Sequence, residues 1–148
     1  MPDETALLVA DVFEAAGALR RLGEQTAAAE GLTQARWQVL SVASEQAITV
    51  PQAARRLGVS RQNVQRVAND LVALRLAAYE SNPDHRGSPR LALTPRGKQS
   101  LTRVTARAER LHRTLFAAIP DEEIRATRAS LRRMLTELDR HEAKSGKR

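Results

Sequence analysis

The chemistry-bearing residues of this chain converge on one stretch, VSRQNVQRVANDLVAL, from Val59 to Leu74. In a helix, the 100° step per residue sets Gln62, Gln65, Arg66 and Asn69 on one side and Val64, Val67, Ala68, Leu71 and Leu74 on the other. A Gln or Asn carboxamide offers a donor beside an acceptor, matching adenine N6 and N7. An Arg guanidinium forks onto guanine O6 and N7, and a helix has the width of a major groove. A merely solvated helix would carry Glu and Lys at four-residue spacing, yet no acid occurs between Ser60 and Asn69. The polar face therefore suits the base edges of duplex DNA. Ser60 and the amides at the helix start, with Thr49 and Gln52 on the preceding helix, are placed for phosphate oxygens, which fix register without reading sequence. Downstream, Arg86 and Arg90 lie on or beside a turn, and an Arg is drawn into a narrow minor groove by its negative potential. Asp84 is expected to brace that turn, bonding backbone amides or pairing with an Arg.

Other chemistries find little support. The absence of Cys excludes disulfides, thiolate nucleophiles and thiolate metal sites. His85, His112 and His141 share no ligand spacing, so no metal site is expected. Glu122 and Glu123 fall in a helix's first turn, where they complement its dipole. No Ser-His-Asp arrangement or phosphate-cradling Gly-rich loop is present, and neither catalysis nor a cofactor is expected.

Positive charge is concentrated where this chemistry lies. The net charge of +7 divides into −4 over residues 1–50, +6 over 51–98 and +5 over 99–148. A basic middle beside an acidic front is the electrostatic footprint of a protein that meets phosphates. The N-terminal stretch is acidic and broken by charges, so neither a signal peptide nor a membrane span is read there, and a cytoplasmic protein is expected.

The elements that must hold these residues are mostly helical. At 148 residues and 42% apolar, with seven Gly, six Pro and few aromatics, the chain suits one mainly α domain. Leu8, Val12, Ala15, Ala16 and Leu19 recur at helical spacing over residues 5–22. Thr33 caps a second helix carrying Trp37, Val39, Leu40 and Val42. Thr49 and Gln52 form a T-x-x-Q capping box for a third helix of about two turns, ended by Gly58. Ser60 then caps the fourth, with Val59 and Val64 as its hydrophobic staple. Two helices joined through about three residues containing a Gly read as a helix-turn-helix. LAAYES and PRLALT can pair as strands around the turn NPDHRG. Two further helices start at Thr94–Pro95 and at Pro120, and KSGKR reads as a disordered tail.

The run from GLTQARWQVL through ITVPQAARRLGVSRQNVQRVANDLVALRLAAY to DHRG and LALTPRG resembles the winged helix-turn-helix core of the MarR family of bacterial transcription regulators. The flanking helices are similar to that family's dimerisation domain. Its most specific pieces are the D-x-R of the wing, Asp84 and Arg86, and the segment Leu93 to Gly97. The resemblance implies a homodimer whose recognition helices enter successive major grooves of a pseudo-palindrome, about 34 Å apart. It matches Ser60, Arg61, Gln62, Asn63, Gln65 and Arg66 to base- and phosphate-contacting positions and Arg86 to the wing-tip contact. It divides the chain into a dimerisation helix over 1–30, a DNA-binding lobe over 31–98 and dimerisation helices over 99–148. It also implies a pocket for a small aromatic or lipophilic effector, for which Phe13, Arg20, Trp37 and Tyr79 are candidates, although a Trp on an apolar helix is more often plain core. One departure is Arg75, where members usually carry Gly, so the recognition helix is expected to end differently and Arg75 to add a phosphate contact.

Leu8, Val12, Phe13 and Leu19, with Leu115, Phe116, Ile119, Leu131, Leu135 and Leu138, form more apolar stripe than a small lobe covers from one chain, which points to self-association. The expected function is a dimeric, sequence-specific DNA-binding regulator, most often a repressor. Two alternatives use the same residues differently. One is a sequence-tolerant DNA or chromatin binder without base readout, and the other is a small-molecule carrier or enzyme working through the pocket alone.

Overall fold

The computed structural model describes residues 1 and 3–146, and the chain forms two compact units, residues 1–109 and 110–148. The elements are α1 (Glu4–Ala28), α2 (Gln34–Glu45), β1 (Ile48–Thr49), α3 (Val50–Leu57), α4 (Arg61–Ala73), β2 (Ala77–Glu80), β3 (Arg90–Leu93), α5 (Pro95–Leu115) and α6 (Asp121–Ser145). This is the winged helix fold. The expected helix starts are present: Thr33 accepts from the Arg36 amide, and Ser60 from the Asn63 amide at 3.1 Å. The Thr49–Gln52 capping box closes in both directions. Gly58 ends α3 at φ 66°, a left-handed backbone that costs glycine little and lets Ser60, the cap of α4, follow two residues later.

The first unit is built on an apolar cluster drawn from every element between α1 and α5. Leu40, Val64, Leu71 and Val104 are its largest fully buried side chains. Burial of each such side chain contributes about 1.5–3 kcal/mol. α4 buries Val64, Val67, Ala68 and Leu71, as its periodicity predicts, but Leu74 is exposed. It is the last residue before the chain turns away, so the inward stripe stops one turn earlier than expected. Arg36 of α2 holds Asp70 of α4 at 3.3 Å, tying the back of α4 to the lobe.

The end of α4 departs from expectation. The Leu76 amide donates to the Leu71 carbonyl and the Arg75 amide to that of Val72, the pair of bonds that defines a Schellman motif. Arg75 takes the left-handed position at φ 61° that a glycine would occupy without strain. The helix therefore ends as a glycine would end it, with a non-glycine residue bearing a cost of about 1 kcal/mol.

The sheet has three antiparallel strands in the order β1-β3-β2, with Ile48 opposite Leu91 and Tyr79 opposite Leu91 on the other side. The sequence pattern allows a wing of two or three strands and locates only its hairpin; the third strand is β1, whose two residues are read there only as the start of α3. Thr94 accepts from the Gly97 amide at the start of α5 and donates to the Arg75 carbonyl. Gly97 is needed for space: a Cβ there would lie 1.8 Å from the Leu76 carbonyl oxygen. α6 reaches Ser145, so Lys144 and Ser145 are helical rather than part of a disordered tail, while Lys147 and Arg148 lie outside the described residues.

In the second unit no described residue of α6 is buried, and Ile124, Leu131, Leu135 and Leu138 are exposed. In the first unit α1 likewise exposes Leu7, Leu8, Val9, Phe13 and Leu19. No helix among the described residues is long and apolar enough to cross a membrane.

Candidate nucleic-acid interface

The outer side of α4 is polar and open. Arg61, Gln62, Asn63, Gln65, Arg66 and Asn69 are all exposed, as the helical spacing requires. The amides of this face are not all free. Gln65 donates from Nε2 to Asn69 Oδ1 at 3.0 Å and to the Tyr79 hydroxyl at 2.8 Å, and Tyr79 donates to Asn69 Oδ1 at 2.9 Å. Arg66 leans toward Asn63 Oδ1 at 3.5 Å, the long limit of a hydrogen bond. Arg61 has no acidic partner among the described residues. Ser60 is exposed, and its oxygen serves as the helix cap while its O–H proton stays available to a phosphate.

Beside α4 runs the wing. A cleft of about 460 Å³ separates the two, lined among others by Pro51, Arg61, Gln62, Gln65, Tyr79 and Ser88. Arg86 is exposed at the wing tip, with no carboxylate partner among the described residues. The brace of this loop is Asn82, where Asp84 was expected. Asn82 Oδ1 accepts from the Asp84 amide, and its Nδ2 donates to the Ser88 carbonyl. The Asp84 carboxylate makes no hydrogen bond or ion pair among the described residues. An Asn followed two residues on by a bonded amide is an Asx-turn, a signal present in the sequence as N-P-D.

Two expected contacts move into the scaffold. Thr49 is 6% exposed, pairs with Arg90 across the sheet, and turns its oxygen to the Gln52 amide. Its side chain is thus a buried cap and not a phosphate donor; of the pair only Gln52 is exposed. Arg90 is half-buried, reaching the Ser81 carbonyl at 3.4 Å and Glu80, its cross-strand neighbour, at 3.7 Å. It is a strut of the wing. Arg56 is also engaged, bonding both Glu45 oxygens at 2.6 and 3.2 Å and joining α3 to α2.

The four effector candidates do not form one site in any way the contacts support. Tyr79 faces α4 and the wing cleft, Trp37 packs half-buried against the core, and Phe13 and Arg20 are exposed on α1. The link between Tyr79 and α4 is the part that sequence reasoning missed. It joins residues ten and fourteen positions apart through the docking of β2, which leaves no local pattern.

Comparison with known proteins agrees with this arrangement. A model described as MarR family matches residues 30–86. The crystal structure of a MarR family transcription regulator superposes with a TM-score of 0.77 at 26% identity, covering 93% of this chain and 95% of that one. The chain belongs to the MarR family. It is 60% identical over 138 residues to proteins described only as uncharacterised from Mycobacterium tuberculosis and Mycobacterium bovis, over 93% of this chain and 96% of theirs. The MarR fold is shared with CouR from Rhodococcus jostii RHA1, solved with p-coumaroyl-CoA, at a TM-score of 0.75, 22% identity and coverage of 89% and 92%.

Proposed function

We propose that this MarR-family chain is a sequence-specific DNA-binding transcription regulator that acts as a homodimer on a pseudo-palindromic operator, most simply as a repressor that occludes polymerase. The observation that carries this reading is the outer face of α4. Gln62, Gln65 and Arg66 remain exposed beyond a left-handed Gly58 turn, and no acid interrupts the face. Those side chains are the ones that read base edges in a major groove. Arg61, Ser60, Asn63 and Gln52 flank them as phosphate contacts, Asn69 adds a second amide, and Arg86 is placed for the minor groove.

The dimer is supported by the apolar residues left exposed on α1 and α6, which extend the scheme of a central DNA-binding lobe over 31–98 between dimerising ends. The effector is proposed to be a small aromatic or lipophilic compound; CouR, which shares the fold, is solved with the larger p-coumaroyl-CoA. Phe13, Arg20 and Trp37 are the effector's candidate contacts, and Tyr79, turned to α4, is the weakest of the four. The proposed role implies activity in a bacterial or archaeal cytoplasm.

The test is a footprint of the protein on the DNA flanking its own gene, followed by affinities for the protected site and for scrambled DNA at one salt concentration. A specific regulator binds the protected site at least a thousandfold more tightly. Equal affinities would replace this reading with a sequence-tolerant DNA binder.

A further inference from the structure

The closed ring of Gln65, Asn69 and Tyr79 has a consequence for which bases α4 can read. We propose that Tyr79 is a specificity-positioning residue, whose hydroxyl bonds both amides of α4, couples their orientations and so restricts what each can offer a base. The inference rests on the DNA-binding reading above and adds to it the chemistry of two contacts.

Both protons of Gln65 Nε2 have partners within the ring, Asn69 Oδ1 and the Tyr79 oxygen, and the phenolic proton goes to Asn69 Oδ1. Turning over Gln65 alone sets oxygen against oxygen, turning over Asn69 alone sets one NH2 against another, and either breaks the bond between them. The amides are therefore coupled, and the phenol is their fixed reference. Its ring packs against the core, and its backbone pairs with Leu91 in the sheet, so the position of the hydroxyl is set by the fold. Gln and Asn on an open helix face would otherwise sample several rotamers each.

What remains pointing outward is Gln65 Oε1, an acceptor, and Asn69 Nδ2, a donor, one helical turn apart. A free Gln binds adenine through both atoms of one amide. Here Gln65 has lost its donor and instead accepts from an exocyclic amine, adenine N6 or cytosine N4. Asn69 donates to an acceptor at purine N7, guanine O6 or thymine O4. Tyr79, on the wing strand, thus takes part in reading without touching the bases.

The experiment selects duplexes from a randomised pool with the full-length protein and with Tyr79→Phe, which keeps the ring's packing and removes only the hydroxyl. The wild type is expected to enrich amine-bearing bases at one position and acceptors at its neighbour. Tyr79→Phe is expected to broaden both, lowering the ratio of specific to scrambled affinity about tenfold, with scrambled-DNA affinity, salt dependence and melting temperature unchanged. The same enriched sequences at the same ratio for both proteins would overturn the role of Tyr79 and leave the regulator standing. A wild type that enriches nothing would remove the regulator reading and this one together. Should Tyr79→Phe not fold, side-chain amide exchange in the wild type decides: slowed exchange of both Gln65 protons supports the ring, and exchange at the free rate overturns it.

Discussion

The outer face of α4 and the apolar stripe of α6 are both exposed, and they pose opposite physical problems. On α4 the exposed groups are Gln62, Gln65, Arg66 and Asn69, whose outward atoms water satisfies until a ligand of matching hydrogen-bond pattern replaces it. On α6 they are Ile124, Leu131, Leu135 and Leu138, which recur at intervals of seven, four and three residues, the spacing of a helix-packing seam. Water offers these nothing. A helix of 25 residues with no described residue buried is expected to gain its stability from a partner rather than from propensity alone. One surface can wait for its ligand, and the other is expected to be covered whenever the protein is folded.

The largest effect should come from the stripe. Replacing Leu135 and Leu138 together by Glu sets charges into the proposed seam. The expected outcome is a monomer by analytical ultracentrifugation and a fall in operator affinity of about a hundredfold or more, as two linked half-sites become independent. A dimer of unchanged strength would break the contrast, by showing that this stripe is simply exposed.

Within the polar surface, the comparison sharpens into reading against positioning. Arg66→Ala is expected to cost roughly 1–3 kcal/mol on the operator and much less on scrambled DNA, measured by titration at fixed salt. Arg86→Ala should weaken both alike and reduce the slope of log affinity against log salt by about 1. If Arg66 behaves as Arg86 is expected to, α4 meets only phosphates.

How far these surfaces were legible in the sequence depends on how local their causes are. The caps at Thr33, Thr49 and Ser60, the Gly58 turn and the inward stripe of α4 as far as Leu71 each follow from residues within a few positions of one another, and all are found. The exposure of Gln62, Gln65 and Arg66 is the other half of that stripe. The burial of Thr49 is decided by β1 joining the sheet, a pairing across more than forty residues, and Arg90 is held by its cross-strand neighbour Glu80. The expectation for the wing brace rests on Asp84 alone, whereas the Asx-turn at Asn82 is a local signal in N-P-D. The Tyr79 ring had no local signal, since only tertiary docking brings β2 to α4.

Arg75 separates a fold requirement from a binding one. Its left-handed backbone predicts that Arg75→Gly raises stability by about 1 kcal/mol, seen as a higher midpoint in denaturant with an unchanged slope. The same variant removes a cation at the end of α4. If Arg75 also meets a phosphate, DNA affinity falls as stability rises, and the opposite signs distinguish the two roles.

The smallest effect lies at Glu45. Its hydrogen bonds from Arg56, and then the charge of that guanidinium, hold the carboxyl below the usual carboxylate range. A lowered value in the folded state means the stabilisation is complete above the ordinary carboxylate pKa and disappears as pH falls through the lowered one. Both groups are open to solvent, so the contribution is slight. A carboxyl titration by NMR should show Glu45 depressed in the wild type and returned to the ordinary range in Arg56→Gln. Because Arg56 is engaged with Glu45, that variant should also leave the salt slope of DNA binding unchanged, unlike Arg86→Ala. A reduced slope would place Arg56 among the phosphate contacts and enlarge the polar surface by one cation that the ion pair only holds in reserve.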